Sequence, residues 1–175
     1  MSVIYFPHDE IGPQINETSV ELGGSTFNVQ LPRLPQVEYL GREALALYYF
    51  DHTSLEVSDK IGLGTDRSNT DNFLTRTRAS YDLDGHSSRA IPQLLDRGWV
   101  DVAEVRPAPV KLSSKCIELL QVLPSGKPLP KLGEDIGVSR WAPDRLVKEG
   151  KQAFGVNTLR GLVLAGYGAD IITNR

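Results

Sequence analysis

The sequence predicts an α+β, mainly helical fold, with a short β-hairpin near its start and two helical units in tandem. Three observations predict it. Apolar residues recur at helical spacing through most of the chain, and Gly23-Gly24 sits between β-branched and apolar residues. Two distant segments, "SRAIPQLLDRG" (Ser88–Gly98) and "SRWAPDRLVKEG" (Ser139–Gly150), share an opening Ser-Arg, a proline, a Leu stripe and a final Gly. We read that echo as two copies of one structural unit. A length of 175 residues, with 40% hydrophobic and 23% charged, suits a soluble globular protein of one ordinary or two small domains.

Each element has its own signal. "TSVELGGSTFNVQLP" (18–32) is the hairpin, turning at its two glycines. "REALALYYF" brings Ala44, Leu45, Leu47 and Tyr48 to one helical side, and "DNFLTRTRASY" does the same with Phe73, Leu74, Thr77 and Tyr81. Between them, Thr53 and Glu56 fit a capping box in "TSLEVSDKI", while Val57 and Ile61 suit a strand equally well. After "DLDGHS", Ile91, Leu94 and Leu95 form a helical stripe stopped by Gly98. The alternating "WVDVAEV" then reads as a strand turning at "RPAP" into "VKL". That proline pair marks the expected boundary, dividing the chain into an arm (1–32), a first unit (33–112) and a second unit (113–175). In the second unit "SSKCIELLQVL" is a Ser-capped helix, "KLGEDIG" a short helix and "SRWAPDRLVKEGKQAF" a longer one. "GVNTLRGLVLAGYGADIITN", punctuated by Gly161, Gly166 and Gly168, reads as β-ribbon.

In "LGEDIGVSRWAPDRLVKE", Leu132, Ile136, Val138 and Leu146 are core positions, Gly137 lies in the turn and Ser139 is the cap. This resembles the helix-turn-helix of bacterial transcription regulators with a winged form, and "GVNTLRGLVLAGYGADI" is similar to the hairpin wing of response-regulator and biotin-repressor types. The resemblance covers roughly residues 113–175. "SSRAIPQLLDRGWVDVAEVRPAPVKL" is similar to the recognition helix and wing of multidrug-resistance and gluconate regulators. A wingless four-helix alignment with quorum-sensing regulators competes, and the alternation in "VDVAEVRPAPV" favours the wing. Together these imply two tandem winged helix-turn-helix units.

Pro92 and Pro143 depart from the pattern, since each falls about four residues past its cap, where proline removes a helical hydrogen bond. Either each helix begins later with proline in its first turn, or its start is distorted. A later start at Pro143 turns Ser139 and Arg140 away from a groove-reading position.

Charge is graded along the chain. Residues 1–32 carry no Lys or Arg and four acids, residues 33–112 ten basic and twelve acidic side chains, and residues 113–175 nine basic and six acidic. Only the last third has the sign that favours nucleic acid. Candidate DNA contacts there are Ser139, Arg140, Trp141, Arg145 and Lys148 on the helix, Lys131 on the brace and Arg160 on the wing. In the first unit Arg76, Arg78, Ser88, Arg89 and Arg106 take similar parts, against a local net charge of −2 that also suits a protein contact.

The resemblance implies a regulator binding double-stranded DNA as a homodimer, without cofactor, with the acidic N-terminal region a candidate protein interface. Two alternatives use the same residues: a plasmid or phage replication initiator, and a winged-helix module that docks on protein. The lone Cys116 excludes a disulfide framework and a cysteine zinc site, and His8, His52 and His86 lack ligand spacing. "IGLGTDRSN" holds only Gly-x-Gly, and Asp82/Asp84 and Glu134/Asp135 have no nucleophile organised beside them, so no enzyme is expected. With no long apolar run and no secretory leader, the expected location is cytoplasmic.

Overall fold

The computed structural model describes residues 18–37, 39–63, 67–83, 87–107 and 111–173. Among them the fold is α+β and mainly helical, with eight α-helices around one three-stranded antiparallel sheet. β1 (Thr18–Leu22) and β2 (Ser25–Val29) form the expected hairpin, with Leu22 opposite Ser25. Its turn residues Gly23 and Gly24 have φ of +59° and +87°, the sign a two-residue hairpin turn requires and side chains resist. Val20, Leu22, Phe27 and Val29 point to one buried face, as the period of two demands.

The strand in "WVDVAEV" is present as β3 (Val100–Glu104), but its partner corrects the expected wing. It pairs with β2, from Val29↔Val100 to Thr26↔Glu104 with an irregularity at Thr26/Phe27; Lys111 and Leu112 form no strand, and 108–110 of the expected turn and returning strand lie outside the described residues. Gly98 at φ +66° stops the preceding helix, and Gln30 N donates to Trp99 O at 2.7 Å, aligning the chain with β2. An isolated two-stranded ribbon is marginal in water, whereas the hairpin already offers a strand edge beside buried Phe27 and Val29.

The helices are α1 (Tyr39–Tyr49), α2 (Ser54–Ile61), α3 (Arg67–Ser80), α4 (Ser87–Asp96), α5 (Ser114–Val122), α6 (Leu129–Asp135), α7 (Ala142–Phe154) and α8 (Leu159–Gly168). The ambiguous "TSLEVSDKI" is helical because its capping box is complete: Glu56 N donates to Thr53 Oγ1 and Thr53 N to Glu56 Oε2. α1, α2 and α3 pack on one another around Ala44, Leu47, Val57, Ile61 and Leu74.

The C-terminal ribbon is corrected as well: the segment expected as a hairpin wing is helix α8. Residues Leu162 to Ala165 are fully buried, against the sheet, α4, α5 and α7. A helix apolar on every side has no polar face, so neither helical nor strand periodicity was visible. The glycines that resembled turns permit close packing. A Cβ on Gly166 would lie 2.6 Å from Ile172 Cδ1, and one on Gly168 would lie 2.6 Å from Ser25 Cβ and 2.8 Å from Phe27 Cζ. One apolar core therefore joins Phe27, Ile91 and Val100 to Leu119, Leu146 and Leu162, continuous across residue 112.

The echo does not survive as a repeat. Ser88 is a buried residue inside α4 and Pro92 the sixth residue of that helix, whereas Ser139 is exposed ahead of α7 and Pro143 is its second residue. A strand follows α4 and a helix follows α7.

Cys116, expected on a buried helical face, is there. Its thiol donates to Leu146 O at 3.4 Å, and burial, helped by the Glu149 charge, pushes its pKa up to about 11. At pH 8 a thiol reagent is expected to react slowly with the native protein and rapidly in urea. Equal rates would contradict the burial.

Candidate nucleic-acid interface

The pair α6–α7 is joined by residues 136–141. Gly137, at φ +69°, reverses the chain, and Val138 N donates back to Gly133 O at 2.9 Å. α7 begins at Ala142, so the later start is the observed one. Proline at its second position loses no helical bond, because the first N–H groups of a helix have no partner within it. The buried Pro143 ring also fills the helix crossing, since a Cβ on Gly133 would lie 2.6 Å from Pro143 Cγ. Ser139 is therefore not the cap. It lies in the turn, where its carbonyl accepts from Ala142 N at 2.9 Å.

The turn nevertheless carries Ser139, Arg140 and Trp141 into solvent. Trp141 is 80% exposed, with the Arg140 guanidinium 5.9 Å from its ring centre. Arg145 and Lys148, three residues apart on α7, are exposed on the side opposite buried Leu146 and Gly150. Among the described residues Arg140, Arg145 and Lys148 make no ion pair. Lys131 on α6 is exposed but bound to Glu134 at 2.8 Å, and Lys127 is bound to Asp135 at 2.7 Å. Glu149 is turned away, accepting from Ser113 N and Oγ at the start of α5. Sequence reasoning missed the continuation of this surface: a groove of about 520 Å³ lined by Asp144, Lys148, Lys151, Gln152 and Asn157 with Val147 and Val156 between them. The signal was present in Lys148 and Lys151 one turn apart and in Gly155, whose φ of +65° returns the chain beside α7.

The remaining candidates lie elsewhere. Arg160, expected on a wing, is on α8. Its Nε donates to Tyr48 O at 2.8 Å and its Nη2 to His52 O at 2.9 Å, and the guanidinium stacks 3.6 Å from the Tyr48 ring centre. Burial lowers its pKa, and the group holds the end of α1. Ser88 is buried; Arg89 is exposed, donating to Ser125 O at 2.7 Å; Arg106 is exposed and paired with Glu104 at 3.1 Å. On α3, Arg76 is exposed and Arg78 half-buried, 5.6 Å from the Tyr48 ring centre with its Nη2 donating to Thr75 Oγ1. The first-unit candidates do not converge on α4.

No family model matches this chain, and no curated protein or solved structure matches it. Among the described residues no group of three His, Cys, Asp or Glu side chains gathers as a metal site, and no helix is long and apolar enough to cross a membrane.

Proposed function

We propose that this chain is a sequence-specific regulator that binds duplex DNA through α7 and the turn before it. One observation carries the reading: Arg140, Arg145 and Lys148 stand exposed, without ion pairs among the described residues, on the turn and the following helix that begin beside an 80%-exposed Trp141 and are braced by α6. A helix pair of this kind places the first turns of its second helix against base edges while cations beside it meet phosphates. Lys148 and Lys151 along the groove suit the sugar-phosphate backbone of one strand. One such helix covers few base pairs, so a homodimer on a two-fold site completes the proposal. Whether the site is a promoter or a replication origin follows from where it lies.

Selection of bound fragments from host and mobile-element DNA tests it. An enriched site is expected, with Arg140→Ala/Arg145→Ala binding it at least about 10-fold more weakly. The plot of log K against log salt should flatten by about two units. No enriched site at low salt overturns the reading and leaves Trp141 as the anchor of a protein contact.

A further inference from the structure

The face of α3 that carries the candidate Arg76 is not part of the α7 surface. Its inward residues Thr70, Leu74 and Thr77 are buried against α1 and α2, and Thr77 Oγ1 donates to Phe73 O, so that hydroxyl needs nothing from outside. Ser68, Asn69, Asn72, Thr75, Arg76 and Ala79 are exposed and, at 3.6 residues per turn, fall within about one third of the helix circumference. No large apolar residue interrupts them. Ser, Asn and Thr are poor helix formers, and a face serving only solubility is better supplied by Lys, Glu, Gln or Ala. These side chains are the ones whose donors and acceptors match base edges: the amide of Asn to adenine, the guanidinium of Arg to guanine, the hydroxyls of Ser and Thr to either.

The framework around that face is a second braced helix pair. α2 is short and held at both ends, by the Thr53/Glu56 box and by Gly62 at φ +74°, whose neighbour Leu63 N donates to Ser58 O at 3.0 Å. Five residues later the 14-residue α3 begins. α1 packs on both, and a Cβ on its Gly41 would stand 3.4 Å from Thr77 Oγ1 of α3. A short helix, a connection of five residues opened by Gly62 and a longer outward-facing helix, with a third helix packed on both, is an order of elements that suits presenting a helix to the major groove.

We infer that α3 is a second DNA-reading helix of this chain, contacting bases in the major groove through Asn72 and Arg76. The inference rests on the α7 reading for its partner, duplex DNA, but on separate residues for its surface. Exposed Asp71 borders the face and offsets the charge of Arg76, so α3 contributes base discrimination rather than phosphate attraction.

The test uses the full chain in fragment selection, comparing wild type with Asn72→Ala/Arg76→Ala and with Arg140→Ala/Arg145→Ala, after thermal melting shows all three folded. The wild-type site is expected to contain two separate sequence blocks. Asn72→Ala/Arg76→Ala should lose the preference in one block and bind the parental site about 10- to 100-fold more weakly, with the salt slope nearly unchanged by comparison with the α7 variant. If that variant selects the same sequence at the same affinity while the α7 variant loses both, α3 reads nothing and the α7 proposal stands. The reverse pattern keeps α3 as the reader and removes α7. A wild-type chain with no enriched site overturns both.

Discussion

Replacing Asp51 with Ala is expected to lower the free energy of unfolding by about 3 kcal/mol, because its carboxylate makes several charge-assisted hydrogen bonds at once. It accepts from Asn157 N at 2.8 and 2.9 Å, from Thr158 N at 2.7 Å and from Thr158 Oγ1 at 2.9 Å. These donors stand at the start of α8, where unpaired N–H groups and the positive end of the helix dipole favour an anion. Arg160 of α8 in turn donates to Tyr48 O in the last turn of α1 and to His52 O just beyond it, so the end of α1 and the start of α8 hold each other. Asp51 also holds φ at +71°, a region Asn and Asp tolerate better than Ala. Asp51→Asn, which keeps one acceptor oxygen and that tolerance, should therefore cost about 1–2 kcal/mol. Asp51→Gly should fall below Ala by about 1 kcal/mol, the backbone strain alone. Urea unfolding measures the series, and an Ala variant within about 0.5 kcal/mol of wild type would remove Asp51 from this role.

Gly23→Ala should cost about 2–4 kcal/mol, summing overpacking and left-handed strain. At φ +59° its Cβ would lie 2.6 Å from Ala165 Cβ and 3.2 Å from Phe154 Cδ1, and Ala165 is fully buried in α8. The Ala165 Cβ moves only with the backbone of α8. Adding Ala165→Gly removes the collision while leaving the backbone strain, so the double variant should be more stable than the sum of the two single effects by about 1 kcal/mol or more. Strict additivity would show that the hairpin turn and α8 do not meet as described.

How much of this was legible depends on where each signal resides. The hairpin, α1 and α3 rest on local chemistry, which Gly23-Gly24 and the stripe through Leu74 and Thr77 expressed directly, whereas the Thr53/Glu56 box left α2 open between helix and strand because Val57 and Ile61 suit either. β3 was visible as a strand, but its pairing with β2 depends on residues some seventy positions earlier, which no window of sequence contains. α8 was misread because burial on every side removed its polar face and its packing glycines resembled turns. The same limit applied to the candidate interface. Arg140, Trp141, Arg145 and Lys148 are exposed as the stripe behind them implied, whereas Arg160 was assigned by spacing to an edge that does not exist. Asp51 gave no local sign, since its partners lie more than a hundred residues away.

The central position of α8 also sets the order in which this protein can be completed on a ribosome. Val20, Leu22, Phe27 and Val29 emerge early, yet the helix that covers them ends at Gly168, about 140 residues later. At cellular elongation speeds that interval is on the order of ten seconds. Throughout it the hairpin presents an uncovered apolar face, and for the first half, until β3 is made, an unpaired strand edge as well, the combination that nascent chains expose to chaperones or to one another. Closure of the core is thus a late event of synthesis, governed by contacts between distant parts of the chain.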